Sequence, residues 1–200
     1  LLEDLGHRVS PARPRADHDG MMRAWTRIVA CGTALSVRET LKKLGRVLRP
    51  GDVEGVTRGA IALANGISGA DYLADVGKIH AYGRQMAAFF QDHDILLSAT
   101  LAEPPARIGR FSHATEDYEG FRIGPDGVFP YSPFCAAFNA SGQPAATLPM
   151  HWTADGLPVG VHLAAAFGDD ERLIGLCAEL ERARPWMARR PALTRQVLGR

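Results

Sequence analysis

Two hundred residues with 46% apolar content are enough to bury one hydrophobic core and exclude a disordered chain. A net charge of +1, with arginines and acids scattered rather than massed, excludes the electrostatic footprint of a nucleic-acid or anionic-membrane binder. Cys31, Cys135 and Cys177 are odd in number and lack C-x-x-C spacing, which argues against a disulfide framework or a structural zinc site.

No apolar run reaches the roughly 18 residues needed to span a bilayer, and Leu1–Ser10 carries acids where a signal peptide is basic. A cytoplasmic protein is expected, without metal or cofactor. Leu1 to Leu5 read as the last turn of a helix, Gly6 as its C-cap and His7 to Val9 as a short strand, as if the chain were entered in mid-domain. That start suggests part of a larger domain.

After Pro11 and Pro14, Asp17 or Asp19 can cap a helix whose buried face is Met21, Met22, Trp25, Ile28 and Val29. The small residues Cys31-Gly32-Thr33-Ala34 are placed at the end of that helix, with amphipathic material to Leu48 and a turn at Arg49-Pro50-Gly51-Asp52. A second helix covers Val56 to Ala64. The third is the clearest, with Leu73, Val76, Ile79, Gly83, Met86 and Phe90 recurring at helical spacing.

The continuous apolar run Asp94 to Thr100 reads as a strand covered on both faces in a largely parallel sheet. Residues 101–133, rich in Pro, Gly and charge, read as a long surface excursion. Ala145 to Trp152 and Leu157 to Ala165 form a hairpin around Thr153-Ala154-Asp155-Gly156. Leu157, Val159, Val161 and Leu163 fall on one face of the second strand, and the smaller Pro158, Gly160, His162 and Ala164 on the other. Pro149 and Pro158 each remove a ladder donor, so the hairpin is expected at a sheet edge or with a bulge. Asp169 and Asp170 open a last helix that Pro185 closes.

Self-contained catalytic motifs are missing: no G-x-S-x-G elbow, no phosphate-binding loop, no H-E-x-x-H and no strand-linked G-x-G-x-x-G. Asp92-His93-Asp94 and His113-x-x-Glu116 are acidic–histidine neighbours that read as surface polar residues before they read as metal or base sites. Lys42 and Lys43 share a basic face with Arg38 and Arg46, and Lys78 lies on the polar side of the third helix, so none reads as a desolvated base. Cys135 and Cys177 read as plain core or near-surface residues.

Several motifs in order carry a family resemblance. Asn139-Ala140-Ser141-Gly142-Gln143-Pro144-Ala145, then Asp155-Gly156-Leu157-Pro158-Val159-Gly160-Val161, then a helix ending near Pro185-Trp186, resemble the C-terminal portion of amidase-signature enzymes. Those carry N-x-[ST]-G-x-P-A before a strand, D-G-L-P-x-G-[VL] in the hairpin and a closing helix ending near P-W. Upstream, Asp94-Ile95-Leu96-Leu97-Ser98-Ala99-Thr100 with Pro104-Pro105 and Gly109 resembles the family's D-[VI]-L-[LI]-x-P-[TA] strand and its follow-on, although Ala99 stands where Pro is usual. The match covers most of the chain and is weakest over residues 34–70. On their own chemistry, Asn139 can satisfy turn backbone, Gly142 permits a positive φ and Pro144 fixes entry into the strand.

The resemblance implies an α/β fold: part of the amidase-signature fold, a mixed twisted sheet with helices on both faces. Residues 1–200 would be the C-terminal part of a single amidase domain. It also implies hydrolysis of a carboxylic amide by a serine nucleophile, a second serine in a cis peptide and a lysine base, all N-terminal to the matched part. No residue of this chain is therefore assigned as catalytic. Its partners would be a small-molecule amide and the N-terminal half of the same protein, with a homodimer left open.

Within the family, the amide-hydrolysing subunit of the tRNA-dependent amidotransferase carries V-K-R-R-[IV] before its long helix and an acid ahead of N-x-x-G-x-P. Here Ala60–Gly66 and Ser132 stand at those places, which makes a glutamine amidase of that type the weaker alternative. The run after Trp25 and the hairpin Trp152–Gly156 look more like broad-specificity amidases, including those acting on 6-aminohexanoate cyclic dimer. Cys31, Gly32 and Thr33 are the expected pocket-lining residues, with helix packing as the competing reading, and Asn139 is a further substrate-binding candidate. Two rivals remain: an inactive truncated product that binds a partner, and an independent hydrolase using Cys31 or Cys135.

Overall fold

A computed structural model describes residues 1–191 and residue 194. In chain order its elements are α1 (His18–Lys43), α2 (Gly55–Asn65), α3 (Gly69–Phe89), β1 (Ile95–Ala99), α4 (Tyr118–Ile123), α5 (Val128–Tyr131), α6 (Cys135–Ser141), β2 (Ala145–Trp152), β3 (Pro158–Ala165) and α7 (Asp170–Ala183).

The Asp17 carboxylate accepts from Gly20 N at 2.9 Å and starts α1. The helix then runs straight through Cys31-Gly32-Thr33-Ala34, which were expected at its end. A single interior glycine costs about 1 kcal/mol relative to alanine. That is less than what α1 gains by packing Ala30 against α2 and Met21 and Met22 against α3 and α6. Ser68 caps α3 through a reciprocal box with Asp71. The buried residues of α3 are Asp75, Tyr82 and Met86, whereas Leu73 is 70% exposed. The apolar period misplaces the first turns because Asp75, not Leu73, meets α1, where Arg27 waits for it.

The sheet has three strands in the order β1-β3-β2, paired antiparallel throughout. The parallel neighbours suggested by the apolar run Asp94–Thr100 are not seen among the described residues. An apolar run reports that a strand is covered, not in which direction its neighbour runs. The hairpin is as expected: β2 is an edge strand with a bulge between Pro149 and His151, and Gly156 takes φ 85° in the turn. Leu157 N donates to Thr153 Oγ1 at 2.9 Å, bracing the same turn.

Strand alternation sends neighbours on β3 to opposite layers. Ala164 joins Met21, Met22, Tyr82, Met86 and Phe138 in one core, while Leu163 and Ala165 join Met150, Leu173 and Leu180 in the other. Helices thus cover both faces: α1, α3 and α6 on one side, α7 on the other. Asp169 precedes α7, Asp170 and Glu171 fill its first turn, and Trp186 packs beneath it.

Two segments differ from expectation. His7 to Val9 are irregular rather than a strand, following a turn that closes with His7 N on Leu2 O at 3.0 Å and Gly6 at φ 92°. Residues 101–133 are not featureless, because they contain α4 and α5 and pack inward. Asp117 caps α4 on Gly120 N at 2.9 Å, and Tyr118 is buried against Ala30 and Ala60. The Arg122 guanidinium lies 4.5 Å from the Phe129 ring centre. Elements of six and four residues are too short to show a period. Gly55 and Gly59 let this segment cross α2 at backbone distance, since a Cβ on either would collide with the carbonyl of Ala114 or Glu116.

Candidate functional site

The N-terminus of α1 sits where α3, β1 and the entry to α6 converge. Asp17 N donates to Gln85 Oε1 at 2.9 Å, tying the start of α1 to α3. His18 follows, its ring 6.4 Å from that of Tyr82. A cleft of about 480 Å³ opens here, walled by Tyr82 and Met86 from α3, Leu96 and Ser98 from β1, and Phe134 and Phe138. It lies within the size range of ligand pockets, about 300–1,000 Å³. His18 and Pro133 also border a smaller cleft of about 260 Å³ with Asp19, Arg23 and Phe129.

Burial sets the electrostatics of this region. It pushes the Tyr82 hydroxyl up to about 12, so the phenol stays protonated. It also lowers His18, with Asp19 opposing and Arg13 reinforcing that direction. His162, buried on β3, is lowered by desolvation as well, with Phe138 edge-on at 5.1 Å.

The Ser98 hydroxyl lies 3.4 Å from His162 Nδ1, but it is also within reach of the Ala99 carbonyl at 3.1 Å. No acid orients the imidazole among the described residues, and 3.4 Å is long for a nucleophile and its base. This pair ties β1 to β3. Sequence reading placed His162 on the small face of its strand without linking it to Ser98, a cross-strand neighbour that only the β1–β3 register reveals.

The structure does not bring the sequence-derived candidates together with this cleft. Cys31 and Thr33 are half-buried in mid-α1, Gly32 is exposed, and Thr33 Oγ1 donates to Val29 O at 2.9 Å. None of the three lines either cleft. Asn139 is exposed on α6, its Nδ2 donating to Cys135 O at 3.1 Å, a helical contact where a turn was expected. Gly142 takes φ 76° as the helix ends, and Pro144 O accepts from Ala165 N at 3.1 Å as β2 begins.

Among the described residues no group of three metal-ligating side chains occurs. His113 pairs with Glu54 at 2.8 Å, and Glu116 with Arg58 at 2.7 Å. Lys78 binds Asp75 at 3.0 Å, and Lys42 and Lys43 are exposed, so no described lysine is a desolvated base. No described helix is long and apolar enough to cross a membrane.

Comparison with known proteins places these features. A family model described as Amidase matches residues 1–174. The 6-aminohexanoate-cyclic-dimer hydrolases of Paenarthrobacter ureafaciens and of Pseudomonas sp. (strain NK87) are each 32% identical over 196 residues, 96% of this chain and 40% of theirs. A solved structure of 6-aminohexanoate cyclic dimer hydrolase superposes with a TM-score of 0.87 at 30% identity, over 96% of this chain and 41% of that one. A bacterial aryl acylamidase of the amidase-signature family superposes with a TM-score of 0.67 at 28% identity, over 89% of this chain and 38% of that one. This chain spans about two fifths of the length of the curated relatives it matches. With a family model over most of its length and a matching α/β architecture, the chain belongs to the amidase family of amidase-signature enzymes.

Proposed function

We propose that this chain forms the C-terminal side of an amidase that hydrolyses a carboxylic amide to a carboxylate and an amine or ammonia. The observation that carries the reading is the likeness to 6-aminohexanoate cyclic dimer hydrolase over 96% of the chain. A serine nucleophile, a cis-peptide serine and a lysine base supply the chemistry from outside these 200 residues. The absence of a buried serine–lysine pair among the described residues supports that division.

Cys31, Gly32 and Thr33 contribute to the substrate side. A Cβ built on Gly32 meets nothing within 4 Å, so α1 leaves open space on that side. Asn139 offers an exposed amide carbonyl, its nitrogen being held by Cys135 O.

The test is amine release from a panel of amides, including 6-aminohexanoate cyclic dimer and an aryl acylamide, by the intact natural gene product and by the 200-residue chain separately. Turnover by the intact product alone is expected. Turnover by the 200-residue chain would overturn the external serine and lysine. Failure of the intact product on every amide would overturn the amidase reading.

A further inference from the structure

The larger cleft at the start of α1 has a chemical polarity that the amidase reading does not use. Among the described residues Arg13 and His18 line it and no aspartate or glutamate does. Among the described residues Arg13 forms no ion pair, although Arg27, Arg58, Arg110 and Arg172 each hold a carboxylate. Burial lowers His18, Asp19 opposes that direction and Arg13 adds to it, which puts the guanidinium within electrostatic range of the imidazole.

Tyr82 is only 3% exposed, lines the same cleft, and its hydroxyl has no hydrogen-bond partner among the described residues. The phenol remains a donor throughout the physiological range, and because Gln143 Nε2 is the buried side-chain polar atom left without a partner among the described residues, the Tyr82 oxygen keeps contact with the cleft. Met86, Leu96, Phe134 and Phe138 complete the wall with apolar surface. The cleft therefore offers a guanidinium, an imidazole and a phenol beside hydrocarbon-lined walls.

We propose that this cleft binds an aliphatic carboxylate, with the carboxylate held by Arg13, His18 and the Tyr82 hydroxyl and the chain lying against Met86, Leu96 and Phe138. Cys31, Gly32 and Thr33 lie about 20 Å further along α1, so this carboxylate is a ligand separate from the amide that those residues would face. A guanidinium beside an apolar wall recognises a carboxylate through charge-assisted hydrogen bonds and gains little from a neutral amide or an amine.

Titration of the purified natural protein with hexanoate, hexanamide and hexylamine, followed by calorimetry, tests the site without requiring turnover. Hexanoate should bind at least about tenfold more tightly than the other two, as expected for one charge-assisted contact. Arg13→Gln, a change on an exposed loop, should remove that preference and leave hexanamide binding unaltered. Tyr82→Phe should weaken hexanoate several-fold while the thermal midpoint shows that the fold is kept. Equal binding of the three probes, or full hexanoate affinity in Arg13→Gln, would overturn the site. Specific hexanoate binding in a protein that hydrolyses no amide would count against the amidase reading alone.

Discussion

Replacing Arg27 with methionine should strip Asp75 of its main partner while leaving the surrounding packing almost intact. Asp75 is 2% exposed and receives Arg27 Nε at 2.6 Å and Lys78 Nζ at 3.0 Å. Burial disfavours its charge, yet the two cations outweigh burial and hold the carboxyl below its ordinary range. Removing one partner of a buried pair costs about 3–5 kcal/mol. Arg27 is partly exposed and Lys78 remains, so a loss of about 2–3 kcal/mol is the expected size.

Urea denaturation followed by circular dichroism near neutral pH reads this as a shift of midpoint at unchanged slope. The pH dependence gives a second handle. A carboxyl with a depressed folded-state pKa stabilises fully above its unfolded value of about 3.9 and loses that contribution as pH falls toward the folded value. The gap between wild type and Arg27→Met should therefore narrow below about pH 4. The double variant Arg27→Met, Asp75→Leu should recover most of the loss, because an apolar pair of similar volume has no charge to strand. A loss below about 0.5 kcal/mol, the range of ordinary surface changes, or no recovery in the double variant would refute the reasoning.

Three further outcomes follow from the same packing. His162 is lowered by burial, so its stabilising contribution is complete above about pH 6.5 and falls away as the solution is acidified through that value; His162→Phe should flatten this limb in denaturation measured across pH. Gly59→Ala should destabilise by about 1–3 kcal/mol although alanine is the better helix former, because the added Cβ meets the Glu116 carbonyl rather than a movable side chain; a raised thermal midpoint would contradict the crossing. Leu163→Ala, at a 0% exposed position between β3 and α7, should cost about 2–5 kcal/mol in the same assay.

How far the sequence carried is a matter of range along the chain. The hairpin, with Asp155-Gly156 at its turn and prolines that force an edge or a bulge, was legible because its determinants are neighbours. So was the start of α1, since a cap and its helix are local, although the sequence offered Asp17 and Asp19 alike and the structure takes Asp17. Direction of pairing was not: β1 meets β3 through pairs such as Ser98 with His162, 64 residues apart. The buried face of α3 was misjudged at Leu73 because an apolar period carries no signal for a charged residue buried by its partner. The cleft escaped for a similar reason, as Arg13, Tyr82, Ser98 and Phe138 come from four separate stretches with no motif in common.

The two outer edges of the small sheet are unequal in what they offer to other polypeptides. On β2, Pro149 withholds an amide and the adjacent bulge breaks the hydrogen-bonding ladder, so a foreign strand finds no continuous row to copy. β1 has neither device and displays Leu97 at 45% exposure. In the 200-residue chain on its own, strand exchange, templated aggregation or the grafting of a designed β-ribbon would therefore proceed from the β1 side, and a proline or lysine introduced at Leu97 is the direct way to suppress it.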